Sequence, residues 1–278
     1  MNAEFCTIVR IKTAGQNGFT LSGAHQLRIG SRRLHQEKDP TVRMQLMRQL
    51  SFWKDTSIAL SVEPESVHCL PATIPFSQSS LSYREYCQLE AEHFLMQPEH
   101  FACDSIIRSR QEEASKEELL LFYPDSGITA LRELRHPEQE LLYSGTIVSP
   151  LIFLSTFSEE PQAIMMIEPK SLLLLVCRKG KLKTFACHQI SSRDECEYFA
   201  MKTITESPLC RKTVLQLTGN ALTPPFTKLL QTEKWLRTQP LKLPSALRLA
   251  AGKRHLLFPS SAMVSAISTA LMALENKV

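Results

Sequence analysis

The stretch AIMMIEPKSLLLLVCRKGKL, Ala163 to Leu182, decides the fold class. Two apolar runs, Ala163 to Ile167 and Leu172 to Val176, flank the polar break formed by Glu168, Pro169 and Lys170. Each run has the length of a strand, and together they fall short of the roughly 20 continuous apolar residues of a bilayer-spanning helix. They read as a tight strand pair, and Lys179 with Gly180 supplies the turn into a third strand, Lys181 to His188.

Downstream, the pattern turns helical over Arg193 to Ile204, returns to a strand over Thr213 to Leu217, turns at Thr218 and Gly219, and is helical again near Thr227 to Thr232. The end of the sequence places Ala262, Ile267, Ala270, Leu271 and Leu274 on one helical face, with Pro259 before it and Ser260 and Ser261 as capping candidates. Upstream, Phe5 to Lys12 and Phe19 to Ile29 form a hairpin around a glycine-bearing turn. Asp39 and Pro40 start a helix carrying Val42, Leu46 and Leu50. Ser57 to Val62 is a strand expected to pair with Val67 to Ile74 across the turn Glu63 to Ser66. Ser82 and Glu85 form a capping box opening a helix to about Leu95. Glu117 to Tyr123 reads as a strand, Asp125 to Leu134 as a helix, Leu141 to Val148 as a strand, and Pro150 to Ser158 as a short helix or turn. Strands and helices thus alternate in two successive, similar blocks.

Composition removes several function classes. With 278 residues, 43% hydrophobic and 22% charged, the chain is long enough to bury a core without metal or disulfide. The net charge of +4 is spread over short clusters at Arg28, Arg32 and Arg33, at Arg178 to Lys183, and at Arg248, Lys253 and Arg254. With aromatics at only 7%, these read as solvated faces, and no nucleic-acid partner is expected. The N-terminus, Met1 to Arg10, shows no secretory signal, and none of the eight cysteines is closely paired. Reduced, mostly buried thiols in a reducing cytoplasm are the expectation. No nucleophile-and-base motif or metal-ligand spacing is present, so no catalytic and no metal-binding residues are expected. The carboxylate pairs Glu112 with Glu113, Glu117 with Glu118, and Glu159 with Glu160 read as solvated surface, and His93 and His100 as packing or capping residues.

Three segments, in this order and spacing, resemble the PilM family of type IV pilus assembly proteins. They are QLEAEHFLMQPEH (Gln88 to His100), the opening stretch from Ala163 to Leu182, and VLQLTGNALTPPF (Val214 to Phe226). The resemblance runs from about Phe5 to the end. It implies an α/β, actin-like (ribonuclease H-like) fold with two similar mixed-sheet subdomains, the N-terminal one truncated. Residues 1–158 would form the N-terminal subdomain, with a small subdomain inserted at about 57–123, and residues 159–278 the C-terminal one.

The departures from the family bear on its nucleotide site. Where the family's second phosphate loop has Asp-x-Gly, this chain has Met166 and Glu168, followed by Pro169. A thioether is a poor ligand for Mg2+, a carboxylate repels phosphate, and proline removes a backbone donor. The adenosine turn is thinned to Gly219 and Asn220, both able to take positive φ. The family's first phosphate loop precedes the hairpin, and the chain is expected to start after it. The resemblance therefore implies a pseudo-ATPase with no ATP or Mg2+ cofactor. It would act as a scaffold at the inner face of the cytoplasmic membrane, in pilus or type II-like secretion assembly. The implied partner is a PilN-like inner-membrane protein that offers its N-terminal cytoplasmic tail, with membrane association through that partner. Leu89, Phe94, Leu95 and Phe101 are the candidate partner-binding residues, and core packing is their other reading. An active actin-like ATPase with atypical phosphate contacts, or a regulator on the same fold, stays open at this point.

Overall fold

Cys6–Ala14 (β1) and Gly18–Leu27 (β2) form the expected antiparallel hairpin, with Cys6 opposite Leu27 and Ala14 opposite Gly18. The computed structural model describes residues 1, 5–15, 18–30, 34, 40–51, 57–63, 66–75, 83–108, 115–250 and 261–275. Asp39, Ser82, Pro259 and Ser260, the acid pair Glu112 and Glu113, and Arg32, Arg33, Lys253 and Arg254 lie outside those residues.

After the hairpin come helix α1 (Pro40–Ser51), strand β3 (Ile58–Val62) and strand β4 (His68–Pro75). The expected hairpin between these two strands does not form. β3 pairs in parallel with a distant strand, β7 (Leu141–Thr146), while β4 pairs antiparallel with β6 (Ser115–Pro124). Two forces set this choice. Leu60 and Val62 of β3 are buried with Val42, Leu46 and Leu50 of α1. β4 carries Pro71 and Pro75, which lack an N–H and suit a strand paired on one side only.

Between β4 and β6 lie the expected helix, α2 (Tyr83–Phe94), and a strand that the sequence reading missed, β5 (Phe101–Ile107). β4, β6 and β5 make a separate three-stranded sheet, with Cys87 and Ala91 of α2 packed on Leu120 and Phe122. Strand β3, read from sequence as part of this insert, therefore belongs with β7 instead. Glu118, expected at the surface, is buried in the middle strand and accepts a hydrogen bond from the Ser105 hydroxyl of β5. As the central strand of its sheet, β6 has no solvent edge at that point. Helix α3 (Ser126–Glu133) completes the layer under β3, and helix α4 (Val148–Phe153) follows β7.

The second block repeats the plan. β8 (Gln162–Glu168), β9 (Ser171–Arg178) and β10 (Lys181–Gln189) form an antiparallel meander. Its second turn is Lys179 and Gly180, at φ +50° and +72°. Helix α5 (Arg193–Glu206) starts where the Ser192 hydroxyl accepts the Glu195 N–H. Strand β11 (Leu215–Thr218), helix α6 (Pro224–Thr232) and the three-residue strand β12 (Thr238–Pro240) finish the block. The sheet order is β10-β9-β8-β11-β12, with β8, β11 and β12 parallel. Its apolar runs are uninterrupted because both faces are covered. Met165, Ile167 and Leu174 face α5 and α6, and Ile164, Met166 and Leu173 face Val148 and Leu151 of α4.

The chain then returns to the first block. β13 (Leu247–Leu249) pairs in parallel with β2, and helix α7 (Ser261–Glu275) packs Ile267 and Leu271 against Phe19 and Leu21. The eight cysteines are free and are buried or half-buried. Burial pushes the Cys69 and Cys177 thiols up to about 12 and Cys187 to about 11, which keeps them protonated and unreactive.

Candidate functional site between the two blocks

Ligands in open α/β sheets gather beyond the carboxyl ends of parallel strands. Here the ends of β3 and β8 meet at that place, and each carries a glutamate: Glu63 directly follows β3, and Glu168 is the last residue of β8. Glu168 is only 3% exposed. Its carboxylate spans the turn after β11, with Oε1 accepting the Asn220 backbone N–H at 3.0 Å and Oε2 accepting the Asn220 side-chain amide at 2.9 Å. The turn itself is docked onto β8, since Ala221 N–H donates to the Ile167 carbonyl at 3.0 Å. Gly219 makes this approach possible. It sits at φ +125°, and a Cβ there would fall 1.9 Å from the Ile167 carbonyl oxygen. Asn220, expected to be able to take positive φ, does not take it; the glycine alone supplies that freedom.

Between β8 and β9 there is a two-residue turn, Pro169 and Lys170, with Glu168 opposite Ser171. Met166 does not reach the cleft at all. The period of two along β8 turns it into the core beside Ile164, and it is 3% exposed.

Glu63 lies close enough to Glu168 for the two charges to repel. Burial first, then Glu168, push the Glu63 carboxyl from its ordinary 4.5 up to about 8, against the opposing pull of the Met1 ammonium. It therefore holds a proton at neutral pH. Met1, Thr7, Ser61 and Glu63 border a pocket of about 10 Å3 against Ala262 and Ser265 of α7, space for one water. Beside it, the Ser61 hydroxyl bonds the Thr269 hydroxyl of α7 at 2.7 Å in a buried setting. Two acids thus face this cleft, and one of them holds the turn's N–H.

The sequence reading missed Glu63, although a charged residue closing a buried strand was a usable signal. It also missed Asp104, in the middle of β5. That carboxylate accepts from the Tyr123 hydroxyl at 2.9 Å, the Thr146 N–H at 2.6 Å and the Thr146 hydroxyl at 2.7 Å, tying the inserted sheet to the end of β7. Burial raises its pKa despite these three donors.

Of the four partner-binding candidates, three converge. Phe94 and Phe101 both meet the His68 ring, at 6.4 and 5.4 Å between centroids, and Leu95 and Phe101 pack on the Cys87–Phe122 cluster. Leu89 lies outside this cluster, 42% exposed, while Phe94 keeps 45% of its surface in solvent. His93 caps the same helix by bonding the Leu89 carbonyl at 2.7 Å. Among the described residues, no helix is long and apolar enough to cross a membrane.

No family model and no curated protein matches the sequence. Solved structures do match. Against a chain of the PilM–PilN type IV pilus biogenesis complex, the similarity covers 99% of this chain and 97% of that one, at 14% identity and a TM-score of 0.64. A Bacteroides thetaiotaomicron protein of actin-like ATPase fold and unknown function matches at 13% identity over 84% and 90% of the two chains, TM-score 0.46. The cytoplasmic domain of EpsL, an inner membrane component of the Vibrio cholerae type II secretion system, matches at 7% identity over 96% and 95%, TM-score 0.45. The chain has the α/β, actin-like fold that the sequence resemblance implied.

Proposed function

We propose that this protein is a non-catalytic scaffold of a pilus or type II-like secretion assembly. It would work at the cytoplasmic face of the inner membrane and bind the N-terminal tail of a PilN-like partner. One observation carries the non-catalytic part: the Glu168 carboxylate holds the Asn220 N–H, a donor that a nucleotide site at this turn would need. A phosphate there would have to displace a charge-assisted bond and then sit beside two acidic side chains. Pro169 withholds a further donor. ATP and Mg2+ are accordingly not its cofactors.

The partner part is supported by the likeness to a chain of a PilM–PilN complex together with the half-exposed patch at Phe94. A short extended tail needs only backbone groups and a few apolar pockets, so binding of this kind does not depend on nucleotide. Membrane association would then come through the partner.

The test has two arms. Mg-ATP should leave the melting temperature unchanged, whereas a ligand at a hundredfold its Kd adds about 2.7 kcal/mol of stability. A single-span inner-membrane protein should be retained through its cytoplasmic tail, and the double change Leu89→Ser with Phe94→Ser should weaken that retention. A clear Mg-ATP shift would restore the reading of an ATPase with atypical phosphate contacts. A small molecule co-purifying with the protein would favour a regulator on the same fold.

A further inference from the structure

A second cavity, of about 660 Å3, lies over β11 and β12 and reaches their amino ends, away from the Glu63 and Glu168 cleft at the carboxyl ends. The chain passes between the blocks along two stretches, and both border it: the turn Leu154–Phe157 after α4, and Lys242 to Ser245, which leads from β12 to β13. Its volume is that of a small-molecule pocket, roughly 300–1,000 Å3.

The register of the sheet accounts for the cavity floor. Ile164 of β8, Gln216 of β11 and Gln239 of β12 lie in one row across the strands. Ile164 is covered by Val148 and Leu151 of α4. Leu215 and Leu217, on either side of Gln216, turn to the opposite face and pack with α5 and α6. Over Gln216 and Gln239 lies the cavity instead of a helix, and the row changes there from apolar to amide side chains.

Gln216 is the buried member, only 6% exposed. Its Oε1 accepts the Lys242 backbone N–H at 3.2 Å. Because an N–H needs an oxygen acceptor, that bond fixes which end of the amide is the NH2. The NH2 has no partner among the described residues. A buried donor left without an acceptor costs about 1–3 kcal/mol, so an oxygen supplied from the cavity would be held there.

The charged residues at the cavity point to the same kind of ligand. Lys212, Arg237 and Lys242 border it with Glu160, which leaves a net charge of +2. Among the described residues, none of the four is in an ion pair. Leu154, Phe157, Val214 and Leu243 add an apolar wall. Donors and unpaired cations select oxyanions, and the wall selects a body that prefers to leave water.

We propose that this cavity binds a small organic dianion, a phosphate ester or dicarboxylate on an apolar body. Its oxygens would meet the Gln216 NH2 and the three cations, and its body would lie against Leu154 and Phe157. Since both stretches that join the blocks border the cavity, the occupant would also tie one block to the other. The proposal does not depend on the scaffold reading above.

NMR of the full chain tests it, with naphthyl phosphate and phthalate as probes and inorganic phosphate as the control without a body. At least one probe should shift the Gln216 side-chain NH2 signals and bind about tenfold more tightly than inorganic phosphate. The tighter of the two probes identifies the anionic group as phosphate ester or carboxylate. Gln216→Glu keeps an oxygen for the Lys242 N–H and replaces the donor with a negative charge, so it should weaken binding by about tenfold or more. The double change Arg237→Gln with Lys242→Gln, at exposed positions, should do the same, and Glu160→Gln should tighten binding about twofold. Glu168→Gln, in the cleft, should leave it unchanged. The proposal is overturned if neither probe moves the Gln216 signals, if inorganic phosphate binds as well as both probes, or if Gln216→Glu binds like the parent. Loss of binding in Glu168→Gln would also overturn it, because the probe would then be reading the cleft. So would tighter binding of a glutamate-rich peptide than of either probe, since the cavity would then serve a polypeptide.

Discussion

In the second block, the central strand β8 is clamped between β9 and β11 and buried along nearly its whole length; in the first, β1 and β3 face each other across a 350 Å3 slot. The same plan therefore exists once with its central strand and once, among the described residues, without it. The difference teaches what else can hold a split sheet in register. Helix α7 packs on both β1 and β3 from one side, with the Ser61–Thr269 hydroxyl pair fixing its height, while α1 and α3 bury β3 from the other. The first block thus depends on a helix from the far end of the chain, whereas the second keeps its own core of β8, β9, α5 and α6.

The largest expected loss breaks the better-built half at its closing turn. Gly219→Ala places a Cβ 1.9 Å from the Ile167 carbonyl oxygen at a φ that only glycine accepts readily. The turn must then leave β8 and release the Glu168–Asn220 bonds, at a cost of roughly 3–5 kcal/mol in chemical denaturation. A smaller pair of changes sharpens the contrast between the blocks. Leu174 of β9 is fully buried in a filled core, and Leu174→Ala should cost about 3–4 kcal/mol. Leu60 of β3 borders the slot, so its side chain is packed on fewer sides, and Leu60→Ala should cost about 2 kcal/mol or less. Equal losses at the two leucines would mean that the slot does not loosen the first block.

The same contrast governs what could be read from the residues alone. β8 and β9 were legible because their apolar runs are local and their turns carry Pro169 and Gly180. β3 was legible as a strand but not in its pairing, because its partner β7 lies beyond the whole inserted sheet and no local pattern encodes a parallel crossover. β5 was hidden by Asp104 and Ser105, polar residues that break its alternation: Asp104 ties the insert to Thr146, and Ser105 bonds Glu118 within the inserted sheet. β12 and β13 span three residues each, too few for any period to register. At the site, Glu168 and Gly219 stood out as an acid and a glycine at strand ends. Their link through Asn220 did not, since it joins residues far apart in sequence. Met166 was assigned to the phosphate loop from alignment with the family, and the two-residue alternation of β8 turns it inward instead.

The last prediction is one of pH dependence and concerns Glu63, at the point where the two blocks touch. Its carboxyl holds a proton up to about pH 8 in the folded protein and only to its ordinary 4.5 when unfolded. Below both values neither state is charged and Glu63 contributes nothing that varies with pH. Between them, the folded state binds the extra proton, so raising the pH through this window destabilises the fold, by at most ~1.4 kcal/mol per pH unit. Above about pH 8 the loss stops growing. Glu63→Gln keeps the shape and removes the titration, so denaturation at pH 5, 6.5 and 8 should give a variant that matches the parent at pH 5 and exceeds it at pH 8. Glu168→Gln should recover part of the same gain, because Glu168 is the second cause of the shift, but should also weaken the bond to the Asn220 N–H. Parent stability that does not fall between pH 5 and 8 would remove the acid pair from the account of how the blocks meet.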